Sequence, residues 1–195
     1  RWPFICIWDD HEFSNDCFQG FSTYGNQPKF EPDRKRCANQ AWFEFIPALL
    51  DGSLESPAHE YLPKNKNLGA ENHTASNSLC IYRKLRWGGN VEIFLTDNRS
   101  YRSAPSLPKN IAEQLDLPLN TANLVEIADY GREYNNGKPP TNLPYGNKET
   151  PNPFAKREPR TCLGKAQREW LISSVSSSNA PWKIWANSIP IIPLQ

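Results

Sequence analysis

Four consecutive residues, Asp9-Asp10-His11-Glu12, carry the densest reactive chemistry in the sequence. Three carboxylates around one imidazole repel one another in a dry site and raise the proton affinity of at least one of them, unless a cation supplies the compensating charge. Where a strand breaks into loop, Asp10 and His11 can both turn toward one shared site. A carboxylate holding a hard metal beside an imidazole is the arrangement expected for metal-assisted ester hydrolysis, with the metal polarising a phosphoryl oxygen and His11 protonating the leaving alkoxide. The same tetrapeptide also reads as a solvated loop with a helix-capping carboxylate, and the residues alone leave both readings open.

Other candidates are thinner. Asp97-Asn98-Arg99 falls at a second strand end, where Asp97 or Arg99 can face the same site or pair with each other to hold the loop. His59 and His73 stand alone in polar stretches. Arg34-Lys35-Arg36 is the densest basic run. Three basic residues are too few for a nucleic-acid footprint, which excludes specific nucleic-acid binding, although one of them can meet a single phosphate; the alternative is a solvated helix end. Glycine-rich phosphate loops, GxSxG elbows and HExxH patterns are absent from the sequence. None of the five cysteines shows CxxC spacing, which excludes a zinc knuckle, and an odd count cannot pair completely. Cys6 and Cys80 lie inside apolar runs and are expected to be buried as small hydrophobes, while Cys17 and Cys37 could pair in an oxidising compartment.

The elements that must position these residues follow from periodicity. Phe4-Ile5-Cys6-Ile7-Trp8 is a continuous apolar run, expected to form a strand buried on both faces of a sheet with the acidic tetrad at its carboxyl end. Residues 14–32 read as loop. Ala38, Ala41, Trp42 and Phe45 recur on one face of a helix that Pro47 ends. Residues 51–78 are polar and aperiodic, hence loop. Two β-prone runs, 79–87 and 91–95, flank Gly88-Gly89-Asn90 and predict a hairpin. Residues 103–160 are punctuated by prolines, with short helices near 111–115 and 121–130, and read as a loop-rich insertion or lid. A helix over 165–175 and a strand over 182–187 close the chain. Trp42, Trp87, Trp170 and Trp182 fall on element faces and are expected in the core. Strand, helix, hairpin, helix and strand in that order argue an α/β fold.

Composition bounds the rest. With 195 residues the chain is one domain's worth of protein. Its 22 Lys and Arg against 21 Asp and Glu exclude a polybasic tether or an acidic tail. No apolar run reaches the ~18 residues of a membrane span. Eighteen prolines favour irregular loop over long helices, and seven Trp, seven Tyr and nine Phe demand burial rather than disorder. Methionine is absent, and Arg1-Trp2-Pro3 runs straight into the apolar segment, so the sequence is expected to be an internal piece of a longer chain.

Five blocks together carry a resemblance: Trp8-Asp9-Asp10-His11-Glu12; Arg36-Cys37-Ala38-Asn39-Gln40-Ala41-Trp42-Phe43-Glu44-Phe45-Ile46-Pro47; Ile81-Tyr82-Arg83-Lys84-Leu85-Arg86-Trp87-Gly88; Asp97-Asn98-Arg99-Ser100-Tyr101-Arg102; and Leu163-Gly164-Lys165-Ala166-Gln167-Arg168-Glu169-Trp170-Leu171. In order and extent the chain resembles the PhoD-type alkaline phosphatase D family of metallophosphatases. The resemblance implies part of a calcineurin-like αββα sandwich, hydrolysis of phosphomonoesters and phosphodiesters, iron and calcium as metals, and a periplasmic or extracellular location. It places Asp10 as a metal ligand, Asp9 as a further ligand or its support, His11 as the general acid at phosphate, and Asn15 and Arg36 near the phosphate group. The family's other metal-binding blocks would lie before Arg1 and after Gln195, so the remainder of the same domain is expected to complete the site, with no thiolate ligand from this chain. Asn98 stands where the family usually has Thr, a change expected to leave the Asp97 to Arg99 pairing intact. A non-catalytic anion-binding or structural domain that keeps the fold is the alternative.

Overall fold

A computed structural model gives the fold and describes residues 4–25, 27–48, 68–105, 121–145 and 148–189. In chain order the main elements are β1 (Phe21–Ser22), β2 (Lys29–Phe30), α1 (Pro32–Phe45), α2 (Leu68–Ser76), β3 (Arg83–Trp87), β4 (Val91–Leu95), α3 (Thr121–Tyr130), β5 (Asn142–Tyr145), β6 (Lys148–Pro151), α4 (Lys165–Ser177) and β7 (Trp182–Ala186), with short helical turns at Gly131–Glu133 and Tyr134–Gly137 after α3. The chain divides into two units, Arg1–Arg102 with Cys162–Gln195, and Ser103–Thr161.

The first unit is built on a three-stranded sheet in the order β3-β4-β7. β3 and β4 form the antiparallel hairpin the spacing predicts, from Arg83 opposite Leu95 to Trp87 opposite Val91. Gly88 turns it at φ +60, a conformation a side chain would strain. β7 runs parallel to β4, Val91 beside Trp182 through Leu95 beside Ala186. Phe94 and Leu95 are buried on central β4, whereas Trp182, Ile184 and Trp185 on β7 are exposed, and β7 has no second strand partner among the described residues. Trp87 and Trp182 are therefore surface residues rather than core. Trp42 is buried and Trp170 half-buried.

The apolar run 4–8 is not a strand. Phe4 and Ile5 are exposed, Cys6 and Ile7 half-buried, and only Trp8 is fully inside. Its Cys6 carbonyl accepts from the Arg83 guanidinium at 2.8 Å instead of from a neighbouring strand. An apolar run becomes a strand only where another edge offers backbone partners, and none of the described strands does so here. Trp8 packs edge-on against Trp42 with ring centroids 5.4 Å apart, and the pair forms one buried cluster with Leu79 and Ile81.

Helix α1 starts earlier than its apolar pattern, because Pro32 supplies a pre-set first turn and Asp33 favours the positive helix end. It stops at the extended Ile46, before Pro47. The face turned inward is Lys35, Asn39 and Trp42, and Phe45 is exposed. Residues 68–76, expected as loop, are helical. Their apolar spacing is silent because side-chain hydrogen bonds anchor the helix: Asn72 donates to Gln19 at 2.5 Å and accepts from the Gly20 amide at 2.9 Å. Asn39 donates to Ser78 just beyond α2 at 2.7 Å. The stretch 14–32 carries the two-residue β1–β2 ladder, with Phe21 and Phe30 paired. All five cysteines are free; Cys17 is the buried one and Cys37 is exposed, while Cys6 and Cys80 are half-buried.

The second unit has its own small core of Leu124, Ala128, Leu143 and Phe154. α3 occupies the range the apolar spacing gives it, and β5 pairs antiparallel with β6. Gly131 sits at φ +52 where a Cβ would meet the Arg157 carbonyl oxygen at 2.3 Å, so this close approach requires glycine. The helix expected near 111–115 and His59 lie outside the described residues. The described architecture is mixed helix and sheet, in keeping with an α/β fold.

Candidate functional site

The site begins with Asp97, just past the end of β4 and fully buried. Its Oδ1 accepts three hydrogen bonds of 2.9 Å, from the Trp8 indole N–H and from the backbone amides of Arg99 and Ser100. The amides close a tight turn; the indole ties that turn to the residue before the acidic tetrad. From the other side Gln167 of α4 accepts from the Asp97 amide at 2.7 Å and donates to the Asp97 carbonyl at 2.8 Å. Asp97 thus joins three segments distant in sequence. It does not ion-pair with Arg99 as expected: its carboxylate holds the Arg99 backbone, which frees the guanidinium to reach elsewhere.

That guanidinium reaches the tetrad. Arg99 Nη2 donates to Asp9 Oδ1 at 2.9 Å, and Nη1 lies 3.8 Å from Asp16 Oδ1. Arg99 is 6% exposed, and its Nε and Nη1 have no hydrogen-bond partner among the described residues, nor has Asp97 Oδ2. Glu12 accepts from the Asp9 amide at 3.2 Å. Asp10 is pinned by its own turn: its carboxylate accepts from the Asp16 amide at 2.9 Å and its carbonyl from the Ser14 amide at 3.0 Å. Burial pushes the Asp10 carboxyl up, but the Asp16 hydrogen bond and the positive charges of Arg99 and His11 outweigh it, leaving the group below its ordinary value. Asp10 is therefore an anion at neutral pH.

His11 extends into solvent with its side chain 78% exposed and its Nε2 3.8 Å from Asp10 Oδ1. Asn15 is also exposed and donates to Asp16 at 3.4 Å. Asp9, Asp10, His11 and Asn15 thus share one turn. Arg36 is held on α1 by an ion pair with Asp33. The basic residue of that run which faces the Asp9 cluster is Lys35. It is 2% exposed, its ammonium lies 4.5 Å from the centre of the Trp8 ring, and it lines a cavity of about 10 Å³ with Asp9, Glu12 and Arg99. Burial lowers its proton affinity, against the attraction of Asp97, Cys17 and Glu12. Lys35 escapes a periodicity reading because charged residues score as outward. Only its i, i+7 spacing to Trp42 hints that it faces inward.

The described residues on their own do not fit a dinuclear metal centre. No group of three His, Cys, Asp or Glu among them could hold a metal ion. Asp9 has one oxygen committed to Arg99 and Asp10 has one committed to Asp16, so two carboxylates would face a hard cation that wants ~6 oxygen ligands. What the arrangement does offer is a buried guanidinium with unused N–H groups, framed by carboxylates, beside an exposed imidazole.

A loop at a strand's carboxyl end that presents such a guanidinium and imidazole on an α/β scaffold belongs to the class of sites that handle oxyanions. The chain belongs to the PhoD-like phosphatase family, whose model matches residues 1–195. It is 24% identical over 187 residues to alkaline phosphatase D of Bacillus subtilis (strain 168), an alignment covering 96% of this chain and 22% of that protein. The chain thus spans about a fifth of the length of this curated relative. No solved structure matches it.

Proposed function

We propose that this chain is part of the catalytic domain of a metal-dependent phosphatase that hydrolyses phosphomonoesters and phosphodiesters, and that it is inactive without the remainder of that domain. Arg99 carries the reading: a buried guanidinium paired with Asp9 and Asp16, two of whose nitrogens make no hydrogen bond among the described residues, is the positive group that phosphoryl oxygens would meet here. In this role Arg99 orients the phosphate and stabilises charge that develops on its oxygens, while exposed His11 gives a proton to the departing alkoxide. Asp10, anionic and fixed by the Asp16 amide, and Asp9 contribute carboxylate oxygens toward iron and calcium, which would act as Lewis acids. The other ligands come from polypeptide outside these residues. Asn15 and Arg36 stand as phosphate contacts by family position. A periplasmic or extracellular location belongs to the same proposal and rests on the resemblance.

His11→Ala in the full-length protein is expected to slow hydrolysis of an ester with a poor leaving group by roughly 100-fold, on general-acid reasoning. Unchanged turnover removes His11 from the reaction. A second reading, a non-catalytic anion-binding domain, draws on the Arg99 to Asp9 ion pair, which balances charge without a metal. Metal analysis of the full-length protein separates the two: near-stoichiometric iron with calcium supports the enzyme, and a metal-free protein supports the binder.

A further inference from the structure

Asp97 is fully buried, yet only one of its oxygens is engaged: Oδ1 takes three N–H donors, and Oδ2 has no hydrogen-bond partner among the described residues. A carboxylate removed from water in this way is costly unless a cation stands near it. Two of the three buried cations among the described residues are engaged elsewhere. Arg99 pairs with Asp9 and Asp16, and Arg83 donates to the carbonyls of Ile81 and Cys6.

The third is Lys35. Among the described residues its ammonium makes neither a hydrogen bond nor an ion pair, although the residue is 2% exposed. Burial works against its charge, and of the attractions that oppose burial that of Asp97 is the largest, ahead of Cys17 and Glu12. Trp8 links the two charges. The ammonium lies over the indole ring, 4.5 Å from its centre, and the indole N–H donates to Asp97 Oδ1 at 2.9 Å. A cation on the face of an indole draws on its electron density and makes the N–H a stronger donor, so the ring carries the influence of the ammonium to a carboxylate it does not touch. The position argues the same way. Lys35 stands in the inward row of α1 with Asn39 and Trp42, where a methionine would fill the space without taking an ammonium out of water.

We propose that Lys35 is a positioning residue of the phosphate site: the buried counter-cation of Asp97, acting through the Trp8 indole to hold the turn that aims Arg99. The proposal rests on the reading of Arg99 as the group that phosphoryl oxygens meet. Because the Asp97 carboxylate holds the Arg99 and Ser100 amides, whatever fixes that carboxylate fixes the direction of the guanidinium.

The test uses the full-length protein with isotope-labelled tryptophan, the Trp8 resonance being assigned by its loss in Trp8→Phe. In Lys35→Met the Trp8 indole N–H resonance is expected to move upfield as its hydrogen bond weakens. Affinity for inorganic phosphate, read by calorimetry, is expected to fall about tenfold through misplacement of Arg99. Lys35→Arg keeps a cation over the ring and should restore most of both. Since the effect runs through the indole N–H, Lys35→Met should add little in the Trp8→Phe background. If Lys35→Met does not fold, Lys35→Gln carries the same comparison. An indole resonance that stays in place, a Lys35→Arg variant as impaired as Lys35→Met, or phosphate losses that simply add in the double variant overturns the proposal. Arg99→Gln that binds phosphate like the parent overturns instead the reading of Arg99 beneath it, a separate result because the indole resonance reports on Lys35 and Asp97 alone.

Discussion

Asp97 and Asp10 are written alike in the sequence, each two residues past an apolar run, and the structure gives them opposite surroundings. Asp97 follows a strand paired on both sides, is fully buried and collects three N–H donors on one oxygen. Asp10 follows a segment with no strand partner; its buried carboxylate takes one backbone N–H, from Asp16, and lies 3.8 Å from the exposed His11 imidazole. Pairing of the preceding backbone, not the composition of the run, decides whether the carboxylate becomes an anchor or a presented group.

The sharpest way to break this contrast is to remove the anchor. Asp97→Ala leaves three buried donors without an acceptor and should cost on the order of 3–5 kcal/mol, read by urea denaturation, whereas Asp97→Asn keeps an acceptor and should cost less. If Asp10→Ala is as damaging as Asp97→Ala, the two sites do not differ as described. Next in size is Trp8→Phe, which keeps the ring packing on Trp42 but deletes one donor to Asp97; about 1–2 kcal/mol is expected, from the lost hydrogen bond.

Lys35 supplies a pH test. Its folded proton affinity lies below the ordinary 10.5, chiefly through burial. The unfolded chain therefore holds this proton to higher pH than the folded one, and stability should rise as pH increases from neutrality toward 10. Above that, Tyr82 and Tyr101, whose phenols burial pushes up, act in the opposite sense. In Lys35→Met the alkaline gain should vanish; a persisting gain would assign the effect to another group. The smallest effect is expected at Asp10. Its lowered carboxyl stabilises the fold above the ordinary 3.8 and loses that contribution as pH falls through its folded value, so Asp10→Asn should flatten the acid limb by no more than about 1 kcal/mol.

What the sequence made legible is where local grammar and tertiary context agree. The Gly88 hairpin, α4 and β7 all announce themselves by period and turn residues. Residues 4–8 mislead because an apolar run cannot say whether a neighbour will pair with it. α2 is silent because amide side chains rather than an apolar stripe hold it. On α1 the exposed Ala41 and Phe45 draw the apolar face to the wrong side, and the inward row includes a lysine and an asparagine. The adjacency of Asp10 and His11 could be read locally. The Arg99 to Asp9 contact, across 90 positions, is created only when the Asp97 turn folds.

β7 ends the described sheet with one edge that no strand among the described residues pairs, and with tryptophan and isoleucine side chains exposed along it. Such a border is a template: any extended backbone laid along it lengthens the sheet by one step of ~4.8 Å and shields those rings in the same move. In the isolated chain that hem is open to any extended backbone, another copy of the chain included.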